Sequence, residues 1–183
     1  MVSYAADVQR WHDFFVVEGA ASATLVGLLF VGLSLHLRAV VARADVRGLA
    51  RVTMTNFALG LLAALFMVIP QSRSAASVEL IVSGAISVVI VAPSLVSAGR
   101  TRVWTLRVRS LVLRFGLSVL SYVGVAVAGA QLAEGSVDNA LTWLTASLVA
   151  LLVISLRNTW DLLVTVGAVT LAADNPEHTS GSG

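Results

Sequence analysis

Long apolar stretches separated by short polar segments make up most of this 183-residue chain. Five of them are long enough to cross a bilayer as helices, because about 20 apolar residues at ~1.5 Å each cover a hydrocarbon core of ~30 Å. The pattern predicts an all-α transmembrane bundle in a single domain, residues 1–173. Its five spans are expected at about 14–37, 50–69, 78–98, 111–133 and 139–160.

Two segments leave the number of spans open. The alternative to five spans is four spans with one re-entrant or interfacial helix, and 78–98 is its candidate because Pro93 should kink that segment. The apolar segment 162–173 is too short to cross a membrane by itself. It is either a helical extension held by other chains or an interfacial segment.

The chain ends are expected to lie outside the hydrocarbon. Residues 1–13 combine aromatic and charged side chains, which predicts a short amphipathic helix at the membrane surface. Trp11 would anchor it, since tryptophan prefers the depth of the headgroups. Residues 174–183 end in Ser and Gly, and we expect a disordered, linker-like tail.

Composition supports lipid as the main solvent. The chain is 57% hydrophobic and 12% charged, with a mean hydropathy of +0.90, whereas soluble domains are about 25% charged. There is no cysteine, so disulfides, thiolate metal sites and cysteine nucleophiles are excluded.

Arginine placement predicts the orientation. All 12 basic residues are Arg, and segments 38–51 and 100–114 hold nine of them. The positive-inside tendency puts both segments in the cytoplasm, with the N-terminus outside and the C-terminus inside. We expect contacts with anionic headgroups rather than nucleic acid, through Arg100, Arg102, Arg107 and Arg109.

One stripe of the first span carries the candidate pore-lining or ion-binding residues. At ~100° per residue a helix aligns six of them: Glu18, Ser22, Leu25, Leu29, Gly32 and His36. If several copies surrounded an axis, Glu18 would form a ring that concentrates cations, the leucines would form an apolar constriction, and His36 could titrate near neutral pH. In the plainer interpretation Glu18 reaches the headgroups, the leucines pack, and His36 is an ordinary interfacial residue.

Small and polar residues in the spans predict close helix packing. Small side chains let helix backbones approach, and an amide can hydrogen-bond to a neighbouring helix. The packing candidates are Gly19, Ala23, Gly27, Asn56, Gly60 and Gly124. Arg157 and Asp161, at i and i+4, are expected to pair as a lock at the interface.

Two short motifs carry a resemblance. FFxxxGAASATLxGLLFVGLSL at 14–35, with Glu18 before the first glycine, and RNTWDLL at 157–163 resemble a group of small bacterial membrane proteins of unassigned function. The resemblance implies a bacterial inner membrane and no particular activity.

No motif of an enzyme is present. The sequence contains neither HExxH nor Gly-x-Ser-x-Gly, no P-loop and no GxGxxG. The three histidines have no metal-site spacing. We therefore expect a protein that is not an enzyme and that uses neither cofactor nor metal.

The leading functional hypothesis is a homo-oligomeric, cation-preferring ion channel with span 1 lining an axial pore. A five-helix bundle this rich in small residues should pack solid, so a path between copies is expected. The order of acidic mouth, apolar middle, glycine and basic inner end is similar to store-operated calcium channels, in the opposite chain direction. The alternatives are a non-conducting accessory or scaffold protein that binds another membrane complex and, third, a small ion or solute transporter.

Overall fold

The computed structural model describes residues 4–35, 37, 41, 44–100 and 106–174. Across these ranges the chain is helical and contains no strand. Five of its helices are long and apolar enough to cross a membrane, which confirms the predicted all-α membrane bundle. They are α1 (Tyr4–Leu35), α2 (Ala44–Val68), α3 (Arg73–Arg100), α4 (Leu106–Glu134) and α5 (Val137–Asp174).

Three helices run further than the hydropathy pattern predicts. Because α1 begins at Tyr4, the expected surface helix and the first span are one continuous helix. The helix α3 continues through Pro93 and is long and apolar enough to span a membrane. The segment 162–173 is a helical extension, since it belongs to the 38-residue α5.

Consecutive helices are antiparallel, and short turns join them at one end of the bundle. We call this end, which carries the turns 69–72 and 135–136, the turn end, and the opposite end the loop end. Arg10 Nη2 lies 3.5 Å from Asp138 Oδ1, so α1 starts at the turn end. The helix α2 lies at the centre and contacts all four others, whereas α1 packs chiefly on α2.

The helices α3 and α4 form the closest pair. A Cβ added at Gly84 would lie 2.8 Å from the Tyr122 carbonyl oxygen, and one added at Gly129 would lie 2.8 Å from the Ser77 carbonyl oxygen. The Ser77 hydroxyl also donates a 2.8 Å hydrogen bond to the Gly129 carbonyl oxygen. Glycine is needed at both positions because the two backbones touch.

The turn from α4 to α5 depends on a glycine with a left-handed backbone. Gly135 has φ of +93°. Its N–H donates to the Leu132 carbonyl oxygen at 3.2 Å, and the Ser136 N–H donates to that of Gln131 at 3.0 Å. This pair of bonds is a Schellman motif, which satisfies the last carbonyls of α4 and reverses the chain within two residues.

Candidate functional site

Glu18 and Ser22 face α2 of the same chain. Their exposed fractions are 5% and 1%, and the Ser22 hydroxyl donates to Glu18 Oε1 at 3.3 Å. A Cβ added at Gly60 would lie 2.8 Å from Ser22 Oγ and 3.1 Å from Glu18 Oε1. The missing side chain of Gly60 therefore provides the space that the two polar groups occupy.

The rest of the predicted stripe follows the same side of α1. Leu29 is buried, and Leu25 and Gly32 are half-buried. A Cβ added at Gly32 would lie 3.4 Å from Leu163 Cδ2 on α5. The described part of the stripe thus lies against helices of its own chain; His36 is outside the described residues.

Glu18 has little to compensate its burial. Within the described ranges its hydrogen-bond partner is Ser22, and no arginine forms an ion pair with it. Glu18 is eight residues beyond Arg10 on α1, about 12 Å further from the turn end at 1.5 Å per residue. Burying a charged carboxylate there without a neutralising partner would cost about several kcal/mol of desolvation free energy.

A second polar group joins α2 to α4. The Tyr122 hydroxyl donates to Asn56 Oδ1, and Asn56 Nδ2 donates to Ser118 Oγ at 3.2 Å. All three residues are buried. Asn56 lies four residues from Gly60 on α2, so this group is one helical turn further from the turn end than the Glu18 contact.

A third polar group lies on α5 near the loop end. Ser155 and Asn158 are both completely buried, yet within the described ranges the Ser155 hydroxyl and both polar atoms of the Asn158 amide have no hydrogen-bond partner. Asn158 is 20 residues beyond Asp138, about 30 Å from the turn end. From the sequence, Asn158 is expected only as a polar residue of the inner interface, within the RNTWDLL motif, and Ser155 has no predicted role.

The remaining packing candidates divide into two groups. Gly19 and Gly124 contact neighbouring helices, through Ala64 on α2 and Ser147 on α5 respectively. Ala23 is exposed, and a Cβ added at Gly27 would have nothing within 4 Å, so this side of α1 faces away from the chain.

The predicted interfacial features are only partly described. Arg157 is exposed and Asp161 half-buried, and their pairing as a lock stays a prediction. The side chains predicted to meet anionic lipid lie outside the described part of the chain: Arg100, Arg102, Arg107 and Arg109.

Comparison of the chain with protein-family models, curated proteins and solved structures gives no match. Within the described ranges, no group of three or more His, Cys, Asp or Glu side chains could hold a metal ion.

Proposed function

We propose that the protein is a membrane ion-transport protein in which Glu18 binds the transported proton or small cation. The supporting observation is the buried carboxyl group itself, which has a single hydroxyl partner and no ion pair among the described residues. Acidic side chains at membrane depth usually mark ion or proton pathways, since their desolvation is otherwise uncompensated. A bound proton or cation would supply the missing compensation.

The proposed ion path runs inside one chain rather than along an axis between several copies of the chain. The Glu18 stripe packs against α2, so a pore lined by this stripe between copies would require α1 to leave α2. Inside the bundle, the three polar groups described above lie at successive depths: Glu18 with Ser22, then Asn56 with its partners, then Asn158 with Ser155. This series favours a transporter or a single-chain conduction path over the axial channel.

We further propose the bacterial inner membrane, with the turn end outside. The described starts of α2 and α4, 44–51 and 106–114, belong to the two arginine-rich segments and lie at the loop end, which the positive-inside tendency assigns to the cytoplasm. Glu18 would then lie near the outer side.

Flux into liposomes tests the proposal. Purified protein would be reconstituted, and proton, Na⁺ and K⁺ gradients applied separately. Glu18→Gln keeps the size of the side chain and removes its charge, so we expect it to abolish flux. Glu134→Gln changes an exposed acidic residue at the turn end and should leave flux unchanged. Silence of the folded wild-type protein under all three gradients contradicts the proposal.

The second candidate is a non-conducting accessory protein, and the outer side of α1 favours it. Only 22% of the apolar window of α1 is buried, against 39–50% in the other helices. Exposed small residues on this side include Ala20, Ala23 and Gly27, which would allow another helix to approach closely. The mass of the detergent-solubilised protein tests this candidate, because Gly27→Leu would shift a complex to the monomer without unfolding the chain.

A further inference from the structure

The pair Ser155 and Asn158 on α5 has buried polar atoms that no described residue satisfies. Both residues are 0% exposed. The three unpartnered atoms are Ser155 Oγ, Asn158 Oδ1 and Asn158 Nδ2. An amide or a hydroxyl buried without hydrogen bonds destabilises a fold, so such groups in native proteins normally have a partner.

Asn56 provides the comparison within the same bundle. Its amide oxygen accepts from the Tyr122 hydroxyl, and its amide nitrogen donates to Ser118 Oγ. A buried asparagine in this protein can therefore have both ends of its amide matched by neighbouring helices. Asn158 is equally buried, and no residue in the described part of the chain matches either end of its amide, which points to a partner other than protein.

We propose that Ser155 and Asn158 bind a buried water molecule near the loop end of the bundle. Residues three apart on a helix have Cβ atoms about 5–6 Å from each other, a separation that one bridging water can span. Buried waters typically make about three hydrogen bonds to groups that are otherwise unsatisfied. The pair offers that number, with both donors and acceptors, so a water can donate to Asn158 Oδ1 and accept from Asn158 Nδ2 or Ser155 Oγ.

A non-conducting bundle would need the same water, so the water site is independent of the proposed ion transport. In an ion-transport protein the site would also hydrate the loop end of the polar series, at about 30 Å from the level of Asp138.

Water-edited solid-state NMR tests the site directly. The protein would be labelled with ¹⁵N-asparagine and reconstituted in deuterated lipid, and transfer of magnetisation from water to each side-chain amide would be timed. Exposed Asn139 is the wet reference and Asn56 the dry one. We expect the Asn158 signal to grow at a rate close to that of Asn139 and several-fold faster than that of Asn56. Growth as slow as that of Asn56 overturns the proposal.

Two variants give an independent readout. Ser155→Ala removes one ligand of the water, so the Asn158 signal should grow more slowly than in the wild type while the fold is kept; an unchanged rate excludes the bridging water. Asn158→Leu removes the amide and should lower Tm by about 2–6 °C if a water was bound there. A higher Tm for Asn158→Leu would show that the amide was dry and simply unfavourable, which also overturns the proposal.

Discussion

The side chain of Tyr122 reaches from α4 to the centre of the bundle, where its hydroxyl donates a hydrogen bond to Asn56 Oδ1 on α2. The two residues are 66 positions apart in the chain and both are buried. Since α2 and α4 otherwise make few contacts, this bond is a principal tie between them.

Loss of that bond should be measurable. Tyr122→Phe leaves Asn56 Oδ1 without a partner, and we expect it to lower the free energy of unfolding by about 1 kcal/mol, as for other hydrogen bonds between membrane helices. Unfolding in mixed micelles with increasing dodecyl sulfate would measure this change. Tyr4→Phe, which alters the chain's other tyrosine, is the control and should have the smaller effect.

The glycine contact between α3 and α4 gives a second prediction. In Gly129→Ala the new methyl group would meet the Ser77 carbonyl oxygen at 2.8 Å and Ile81 Cγ1 at 2.9 Å. Backbone atoms cannot yield cheaply, so we expect a loss of about 1–3 kcal/mol in the same unfolding assay. Gly116→Ala on the same helix has nothing within 4 Å and should be neutral. Equal losses in the two variants would contradict the close approach.

The turn at Gly135 gives a third prediction. Alanine is strained at the φ of +93° found there, and we expect Gly135→Ala to cost about 1–2 kcal/mol. Gly135→Asn should cost less, because asparagine adopts left-handed conformations more readily. Thermal unfolding of the two variants measures this difference, and Gly135→Asn should have the higher Tm. Equal Tm values, or a higher Tm for Gly135→Ala, would show that the turn has another geometry.

The contact of Gly60 with α1 gives a fourth prediction. Gly60→Ala would put a methyl group 2.8 Å from Ser22 Oγ, so we expect a loss of about 1–2 kcal/mol in the unfolding assay. Ser22→Ala removes that oxygen and should recover part of the loss when the two changes are combined. The interaction energy of this double-mutant cycle measures the contact, and purely additive effects would show that the two residues do not touch.

Hydropathy predicts the type of the helices and favours five spans, while Pro93 left a four-span alternative open. Runs of about 20 apolar residues leave few alternatives to a spanning helix in lipid. Hydropathy could not locate the helix ends, because helical hydrogen bonds continue into polar flanks. Tyr4 to Asp13 remain helical for this reason, and α5 continues to Asp174.

The sequence could not predict which surface the Glu18 stripe contacts. Periodicity shows that Glu18, Ser22 and Leu29 share one side of α1, but not which surface that side meets. The contact of this stripe with α2 depends on Gly60, because the absence of a side chain there leaves space for the Glu18 carboxyl group. Such pairings between distant residues require knowledge of which helices are neighbours, as do the partners of Asn56.

The length of α5 imposes a mismatch on any bilayer that holds the protein. At 38 residues it measures about 57 Å, whereas a core of ~30 Å accommodates about 26 residues even in a helix tilted by 40°. About 12 residues must therefore project past the acyl chains. Since the last apolar stretch of α5 is at the loop end, a thicker membrane would cover more of it, so the free-energy cost of holding this helix in lipid depends on bilayer thickness.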